Sequence, residues 1–154
     1  MTTRSQSHEI DIPAPPETVF NLLITPSAIR GWWGAQRAIV MPVLDGLWVV
    51  AWGEREDDPD FVTGATIKAF ESPRRLLLAY EYFHAKSGPL PFAAQMTAEF
   101  IIQKSPTGSH LRVTQAGFPA GREADAYFES CKSGWKAMLQ GITQAAAARP
   151  PAGR

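Results

Sequence analysis

Apolar and polar residues alternate with a period of two over most of the chain, which is the pattern of half-buried β-strands. The first alternation lies at residues 7–12. Further strands are predicted at 37–41, 47–52, 62–70, 76–82 and 94–104, then in a returning strand with Leu111, Val113 and Gln115 on one face. Asp45-Gly46 and Ser105-Pro106-Thr107-Gly108 are turn signals between neighbouring strands. Because the connections are short, the sheet is predicted to be antiparallel.

Three other segments repeat apolar residues every three or four positions and are predicted to be helices. The first covers 17–24, directly after a proline-rich stop at the end of the first strand. The second begins at Thr25-Pro26 and runs through Arg30 into Gly31-Trp32-Trp33-Gly34. The third covers 122–147, and its single apolar stripe comprises Phe128, Cys131, Trp135, Met138 or Leu139, and Ile142.

The order of these elements predicts a single α+β domain over 7–147, with flexible segments at 1–6 and 148–154. One strand is followed by two short helices, about six strands and one long helix. Since helices and strands are segregated along the chain, the helices are expected to pack on one face of the sheet. A curved sheet that separates from the long helix at one end would leave a cavity between them.

Composition and charge narrow the classes of function. Fifteen basic and fifteen acidic residues cancel, so a nucleic-acid partner is not expected. The chain has neither a run of about 18 apolar residues nor a secretory leader, which predicts no membrane insertion and a cytoplasmic location. A single cysteine, Cys131, excludes an intrachain disulfide. The three histidines are not spaced as metal ligands, and neither a metal nor another cofactor is expected.

Large apolar side chains and a few polar ones fall on the predicted inward faces and form a candidate ligand-binding set. The residues predicted to line a cavity are Phe20, Trp33, Trp48, Val50, Trp52, Leu78, Tyr80, Tyr82, Met96, Phe100, Gln115, Cys131 and Trp135, with Met138 on the same side. The alternative is that the inward tryptophans fill this space as a solid core.

Polar groups at inward positions would orient a ligand in such a cavity. The candidates are Tyr80, Tyr82, Gln115 and Tyr127. Gln115 has a second interpretation, because an unpaired buried amide is costly and this one would equally satisfy a backbone group at the sheet rim.

Trp32 and Trp33 are adjacent on a predicted turn, where neighbouring side chains point in different directions. One is therefore expected to close the mouth of the cavity, and the other to pack beneath the helix or against a partner chain. The partner interpretation predicts a homodimer. The alternative is an apolar plug between the short helices and the sheet.

No catalytic residue is predicted. The sequence contains neither a Gly-x-Ser-x-Gly elbow nor a His-Glu-x-x-His helix. Glu81 and Glu99 fall on outward faces, so an acid–base pair inside the cavity is not supported. Cys131 on an apolar helix face is interpreted as a small core residue.

Several fragments in order along the chain carry a family resemblance. They are 10–20 (IDIPAPPETVF), 29–33 (IRGWW), Asp45-Gly46 before Trp48, 71–76 (ESPRRL), 111–118 (LRVTQAGF), and Gly134-Trp135 with Leu139. On these fragments the chain resembles the START-like superfamily of helix-grip domains. Within it, the chain is most similar to the family named for activators of the heat-shock-protein-90 ATPase, and it is also similar to polyketide cyclases. The resemblance implies a curved antiparallel sheet of six or seven strands around the C-terminal helix.

The function predicted from residues and resemblance together is binding of a small apolar or aromatic molecule, without catalysis. One alternative is a cyclase- or hydrolase-like enzyme that uses Tyr80, Tyr82 and Gln115. A second, implied by the family name alone, is a stress-related bacterial co-chaperone. In the true activators this domain works beside an N-terminal domain for which the chain has no room, so a chaperone partner is the less favoured expectation.

Overall fold

The computed structural model describes residues 2–148 of the chain, which form an α+β fold. Its strands are β1 (Thr3–Ile12), β2 (Arg37–Val40), β3 (Leu47–Trp52), β4 (Phe61–Glu71), β5 (Arg75–Ala85), β6 (Thr97–Ser105) and β7 (Gly108–Pro119). Its helices are α1 (Pro16–Ile24), α2 (Pro26–Trp33) and α3 (Asp125–Ala147), the last entered through a 3-10 turn at Arg122–Ala124. Of the flexible tail predicted at 148–154, residues 149–154 lie outside the described residues.

All strand pairs are antiparallel and make one curved, open sheet in the order β1-β7-β6-β5-β4-β3-β2. The first strand pairs with the last, so Ile10 lies opposite Leu111. This arrangement leaves β1 and β2 as the two edge strands. The predicted α+β class, antiparallel sheet and element order are confirmed.

Prolines start both short helices, because the first helical turn has no use for the backbone N–H that proline lacks. Gly34, with φ of 67°, ends α2 in the left-handed conformation that glycine adopts without strain. Helix α2 therefore continues to Trp33, beyond the predicted end at Arg30. The two adjacent indoles stack with centroids 5.3 Å apart, instead of pointing in different directions as a turn would require.

The core lies between the sheet and the helices. Its largest fully buried side chains include Trp48, Phe20 and Phe100. Helix α3 contributes one apolar stripe along its inner face, comprising Trp135, Met138, Leu139, Ile142 and Ala146. This stripe matches the predicted period of the last helix.

Some strand boundaries differ from the predictions. Strand β1 begins at Thr3, four residues before the predicted start at 7, because residues 3 and 4 pair with Pro119 and Phe118 at the end of β7. Strand β5 continues to Ala85, where 82 was the predicted end, and β6 begins at Thr97, where 94 was predicted. Backbone pairing with a neighbouring strand sets these ends, and the alternation of side chains contains no information about that pairing.

Candidate functional site: a pocket between the sheet and α3

A pocket of about 270 Å³ lies between the inner face of the sheet and helix α3. It is partly open to solvent, with the exposed residues Ser130 and Gly134 on the helical side of its mouth. The side chains and backbone around it belong to Trp33, Phe61, Thr63, Tyr80, Tyr82, Phe83, Met96, Gln115, Tyr127, Ser130, Cys131, Gly134, Trp135 and Met138.

A β-bulge in β5 decides which side chains of that strand reach the pocket. Tyr80 pairs with Ala65 and Tyr82 with Gly64, so Glu81 is an extra residue with no partner across the ladder. An extra residue reverses the in–out alternation beyond it. Phe83 consequently lies opposite Thr63 on the pocket side. Tyr82, predicted to point inward, is 59% exposed and only borders the pocket.

Aromatic rings form a continuous wall on the sheet side of the pocket. Trp33 meets Trp52 edge-to-face at 4.8 Å, and Trp52 meets Phe61 at 5.2 Å. Phe61 in turn meets Phe83 at 5.0 Å, and Phe83 meets Tyr127 of α3 at 6.1 Å. Edge-to-face contacts of this kind hold each ring in place through its neighbours. The wall is therefore preformed without a ligand.

Polar groups cluster where β7 faces α3. The indole Nε1 of Trp135 donates a hydrogen bond of 2.6 Å to Oε1 of Gln115. An indole N–H is only a donor, so this contact fixes which end of the amide is the oxygen. The side chains of Tyr127 and Cys131 lie close to Gln115 and to each other, near enough to affect each other's pKa. The partner of Gln115 is thus an indole, where the sequence had suggested a ligand or a backbone group.

Cys131, Tyr80 and Tyr127 of the pocket are protonated near neutral pH. Burial raises the pKa of the Cys131 thiol from 9.0 to about 11. Burial also raises the pKa of the Tyr80 and Tyr127 hydroxyls, with a further contribution from the adjacent Cys131. None of the lining residues is Asp, Glu, Lys, Arg or His. The pocket therefore presents neutral hydrogen-bonding groups in an aromatic surrounding.

The structure places the predicted cavity residues in two groups. Those that line the pocket are Trp33, Tyr80, Tyr82, Met96, Gln115, Cys131 and Trp135. Those that lie outside it are Phe20, Trp48, Val50, Trp52, Leu78 and Phe100, which pack in or against the core.

The second group lies outside the pocket because α1 and α2 fill that end of the space beneath the sheet. Phe20 of α1 contacts Phe70 edge-to-face at 5.3 Å. The indole Nε1 of Trp48 donates to the backbone oxygen of Leu23, also in α1, at 2.9 Å. The two sequence interpretations, a solid core and a cavity, thus describe opposite ends of the same layer.

Five lining residues had no place in the predicted set: Phe61, Thr63, Phe83, Ser130 and Gly134. Phe61 lies one residue before the predicted start of its strand. Phe83 follows the bulge, so simple alternation from Leu76 gives it the wrong face. A sequence signal for a bulge at Glu81 would have placed Phe83 on the pocket side, but the alternation of apolar and polar residues contains no such signal.

A second feature lies at the free edge of the sheet. Five large apolar residues near β2 are roughly half or more exposed, and we call them the edge patch: Ile39, Met41, Val43, Leu44 and Leu47. Strand β2 pairs with β3 on one side only. An exposed apolar edge strand is a site at which proteins associate unless something covers it.

Within residues 2–148 no group of three or more His, Cys, Asp and Glu side chains is placed to hold a metal ion. No helix in this range is long and apolar enough to cross a membrane. His110 instead contacts Asp11 and Glu9 of the neighbouring strand at 2.9 and 3.3 Å.

Comparison with known proteins gives a family match and several structural ones. The model of the family described as Activator of Hsp90 ATPase homolog 1-like protein matches residues 13–147. A comparison with curated proteins gives no match.

Similar solved structures share the fold at low sequence identity. A protein from Mesorhizobium loti is 22% identical with a TM-score of 0.77, over 96% of this chain and 99% of that one. A protein of unknown function from Staphylococcus aureus is 10% identical with a TM-score of 0.74, over 95% and 94%. The solution structure of the Aha1 dimer from Colwellia psychrerythraea is 13% identical with a TM-score of 0.72, over 94% and 97%.

Proposed function

The chain belongs to the family of Activator of Hsp90 ATPase homolog 1-like proteins, and on this basis we propose that it binds a small apolar or aromatic molecule in the pocket beside α3, without catalysing a reaction. The observation that carries the proposal is the preformed aromatic wall around an unfilled space. Because one fold hosts several activities, the site and not the family decides what the chain binds.

The size of the pocket supports a compact ligand. An apolar cavity of about 150 Å³ holds one benzene ring, and ordinary ligand pockets enclose roughly 300–1,000 Å³. At about 270 Å³ the pocket has room for one or two fused rings. Long lipid chains would extend out of its mouth.

The lining supports binding through apolar contact. Phe61, Phe83 and Trp33 present ring surface, and burial of apolar area contributes roughly 25 cal/mol per Å² before the costs of association. Because the rings already hold one another in place, little side-chain entropy is lost when a ligand enters.

The same groups argue against the cyclase- or hydrolase-like alternative. A general base works best with a pKa near the operating pH. Burial moves the pKa of Cys131, Tyr80 and Tyr127 in the opposite direction. These residues are hydrogen-bond donors at neutral pH, which suits ligand orientation more than proton abstraction.

The co-chaperone alternative has its support in the family description. It stays a prediction, and retention of an ATPase chaperone in a pull-down would favour it over the ligand carrier. A cytoplasmic location remains part of the proposal, since the one cysteine of the chain is free and fits a reducing compartment.

We propose further that two copies associate through the edge patch. The similar Colwellia psychrerythraea protein is described as a dimer. Strand β2 has a free edge, and the chain has no net charge to oppose self-association. The dimer expected from the sequence relied on an exposed indole of the Trp32–Trp33 pair, and the structure does not show one. Trp32 is only 8% exposed and donates to the Leu22 oxygen at 2.7 Å, and Trp33 lines the pocket.

The pocket proposal is tested by blocking its mouth. A Cβ added at Gly134 would meet nothing within 4 Å, so Gly134→Leu adds a bulky side chain to the pocket lining at a position that has room for its Cβ. Leucine also favours a helix over glycine by roughly 0.5–1 kcal/mol, so the variant should be at least as stable as the original chain. We expect it to weaken binding of naphthalene probes at least tenfold.

Quenching of tryptophan fluorescence measures this binding, because Trp33 and Trp135 line the pocket. Ala137→Leu is the matched control, with the same added side chain at an exposed position of α3 outside the lining. It should bind as the original chain does. Equal binding by both variants, or no saturable quenching of the original chain by any compact aromatic compound, would contradict the proposal.

A further inference from the structure

We infer that the pocket selects an uncharged aromatic molecule that carries a carbonyl oxygen, which accepts a hydrogen bond from the Tyr80 hydroxyl, and that it rejects aromatic anions. The inference rests on the proposed function and specifies its ligand class. It follows from how the polar groups of the pocket are already paired and from the absence of charge in its described lining.

The selection against charge follows from the surroundings of the bound molecule. A carboxylate taken out of water needs an opposite charge or several hydrogen bonds in return. The two cations of α3, Lys132 and Lys136, do not line the pocket, and both lie near His8 of β1, whose pKa is lowered by burial and by these two charges. The Lys132 Nζ also lies 3.0 Å from the Glu129 carboxylate and 5.1 Å from the Phe128 ring centroid. An anion in the pocket would therefore be desolvated without compensation.

We assign the ligand's hydrogen bond to the Tyr80 hydroxyl because no described protein group pairs with it. The Gln115 oxygen accepts from Trp135, and the Tyr127 hydroxyl has the Cys131 thiol and the Gln115 amide as polar neighbours. Among the described residues, by contrast, no hydrogen bond to the Tyr80 hydroxyl is formed, although Tyr80 lines the pocket. Burial raises the pKa of this hydroxyl, so it stays protonated and able to donate. The hydroxyl can therefore donate into the pocket, and a ligand carbonyl would accept that hydrogen bond.

The positions along β5 give the ligand a direction. Phe83 and its contact Phe61 lie near the end of the β4–β5 ladder, where Phe61 pairs with Ala85. Tyr80 lies further along the strand, and its backbone N–H donates to Met96 at 2.9 Å. A ring against the two phenylalanines would thus point its polar substituent inward, towards Tyr80. The arrangement favours one polar group at one end of an otherwise apolar molecule.

Three probes with the same ring system test the inference: naphthalene, 2-acetonaphthone and 2-naphthoate, titrated at neutral pH by tryptophan fluorescence. For the original chain we expect 2-acetonaphthone to bind at least tenfold more tightly than 2-naphthoate. Tyr80→Phe removes one oxygen and should weaken binding of 2-acetonaphthone by about 5- to 20-fold, the effect of one lost hydrogen bond. Naphthalene binding should not change.

Ser133→Ala is the matched control, because it removes one hydroxyl at an exposed position of α3 outside the pocket lining. It should leave the affinity for all three probes unchanged. Thermal unfolding monitored by circular dichroism checks that both variants are folded as the original chain is.

The outcomes separate the two proposals. Failure of all three probes to bind the original chain contradicts the proposed function. Binding of naphthalene, with 2-naphthoate held as tightly as 2-acetonaphthone, leaves the binding function intact and overturns the selection against anions. An equal loss of all probes in Tyr80→Phe, or no loss of 2-acetonaphthone, overturns the role of the Tyr80 hydroxyl.

Discussion

Cys131 lies beside the pocket among Gln115, Tyr127 and Tyr80, where its thiol serves as a neutral, weakly polar group. Desolvation is the largest cause of its raised pKa, while the neighbouring polar side chains of Tyr127 and Gln115 act in the opposite direction. A cysteine reacts through its thiolate, and here the thiolate is disfavoured. The residue is therefore better suited to packing against a ligand than to nucleophilic attack.

Alkylation by iodoacetamide tests this environment. With the pKa raised from 9.0 to about 11, the thiolate fraction at pH 8 is lower by two orders of magnitude. A higher intrinsic nucleophilicity offsets part of this, so we expect Cys131 to react about 10- to 100-fold more slowly than in the unfolded chain. The rate, followed by mass spectrometry, should rise as the pH approaches 11. A rate at pH 8 equal to that in denaturant would contradict the buried thiol.

The same shift has a consequence for stability. The pKa is higher in the folded state, so the unfolded chain loses its proton first as the pH rises. Below pH 9 the group has no effect on the pH dependence of unfolding. Between pH 9 and about 11 the free energy of unfolding should fall.

At the scale of elements, the bulge in β5 does the most to shape the site. Without the extra residue Glu81, strict alternation from Leu76 and Leu78 would put Tyr82 on the inner face and Phe83 outside. With it, Phe83 joins Phe61 in the aromatic wall and the larger, polar Tyr82 faces solvent. Bulges commonly re-aim side chains near functional sites in this way.

Alanine substitutions at the neighbouring positions 82 and 83 test which of the two side chains of β5 points into the pocket. Phe83→Ala removes part of the pocket wall and should weaken binding of naphthalene about 5- to 20-fold, since a buried aromatic contact is lost. Tyr82→Ala should change the affinity less than twofold, because that side chain is largely in solvent. The reverse order of effects, measured by the same fluorescence titration, would mean that Tyr82 is the inward residue.

At the scale of the whole molecule, the layer between sheet and helices is solid at one end and hollow at the other. Helices α1 and α2 fill the end where Phe20 and Trp48 lie. Beyond Trp33, α3 lies over the sheet, and the pocket opens between them. The edge patch lies apart from the pocket lining and shares none of its residues. Ligand binding and self-association are therefore expected to be separable by mutation.

The proposed dimer is tested by placing a charge in the edge patch. Leu44 is 60% exposed, so Leu44→Lys costs the monomer little, whereas a lysine buried at an interface is unfavourable. Size-exclusion chromatography with light scattering should give the mass of two chains for the original protein and of one for the variant. Tyr82→Lys, on the exposed side of β5, is the control and should stay dimeric. A monomer mass for the original chain at micromolar concentration would overturn the dimer.

Local pattern was enough to predict much of this protein. Alternation and helical periodicity gave the α+β class, the antiparallel pairing and the stripe of α3 from Trp135 to Ile142. These features follow from the chain alone because a period of two or 3.6 is a property of neighbouring residues. The same patterns also brought Tyr80, Gln115 and Cys131 into the candidate set that the structure places around one pocket.

Tertiary structure alone decided where the hollow lies and which residues face it. The bulge at Glu81 depends on how β5 pairs with β4, the continuation of α2 to Trp33 depends on the packing of two indoles, and the unfilled space depends on where α1 ends. Each is set by contacts between segments far apart in the sequence. Because a single extra residue turns a strand over, periodicity identifies the members of two faces but leaves open which face is inside.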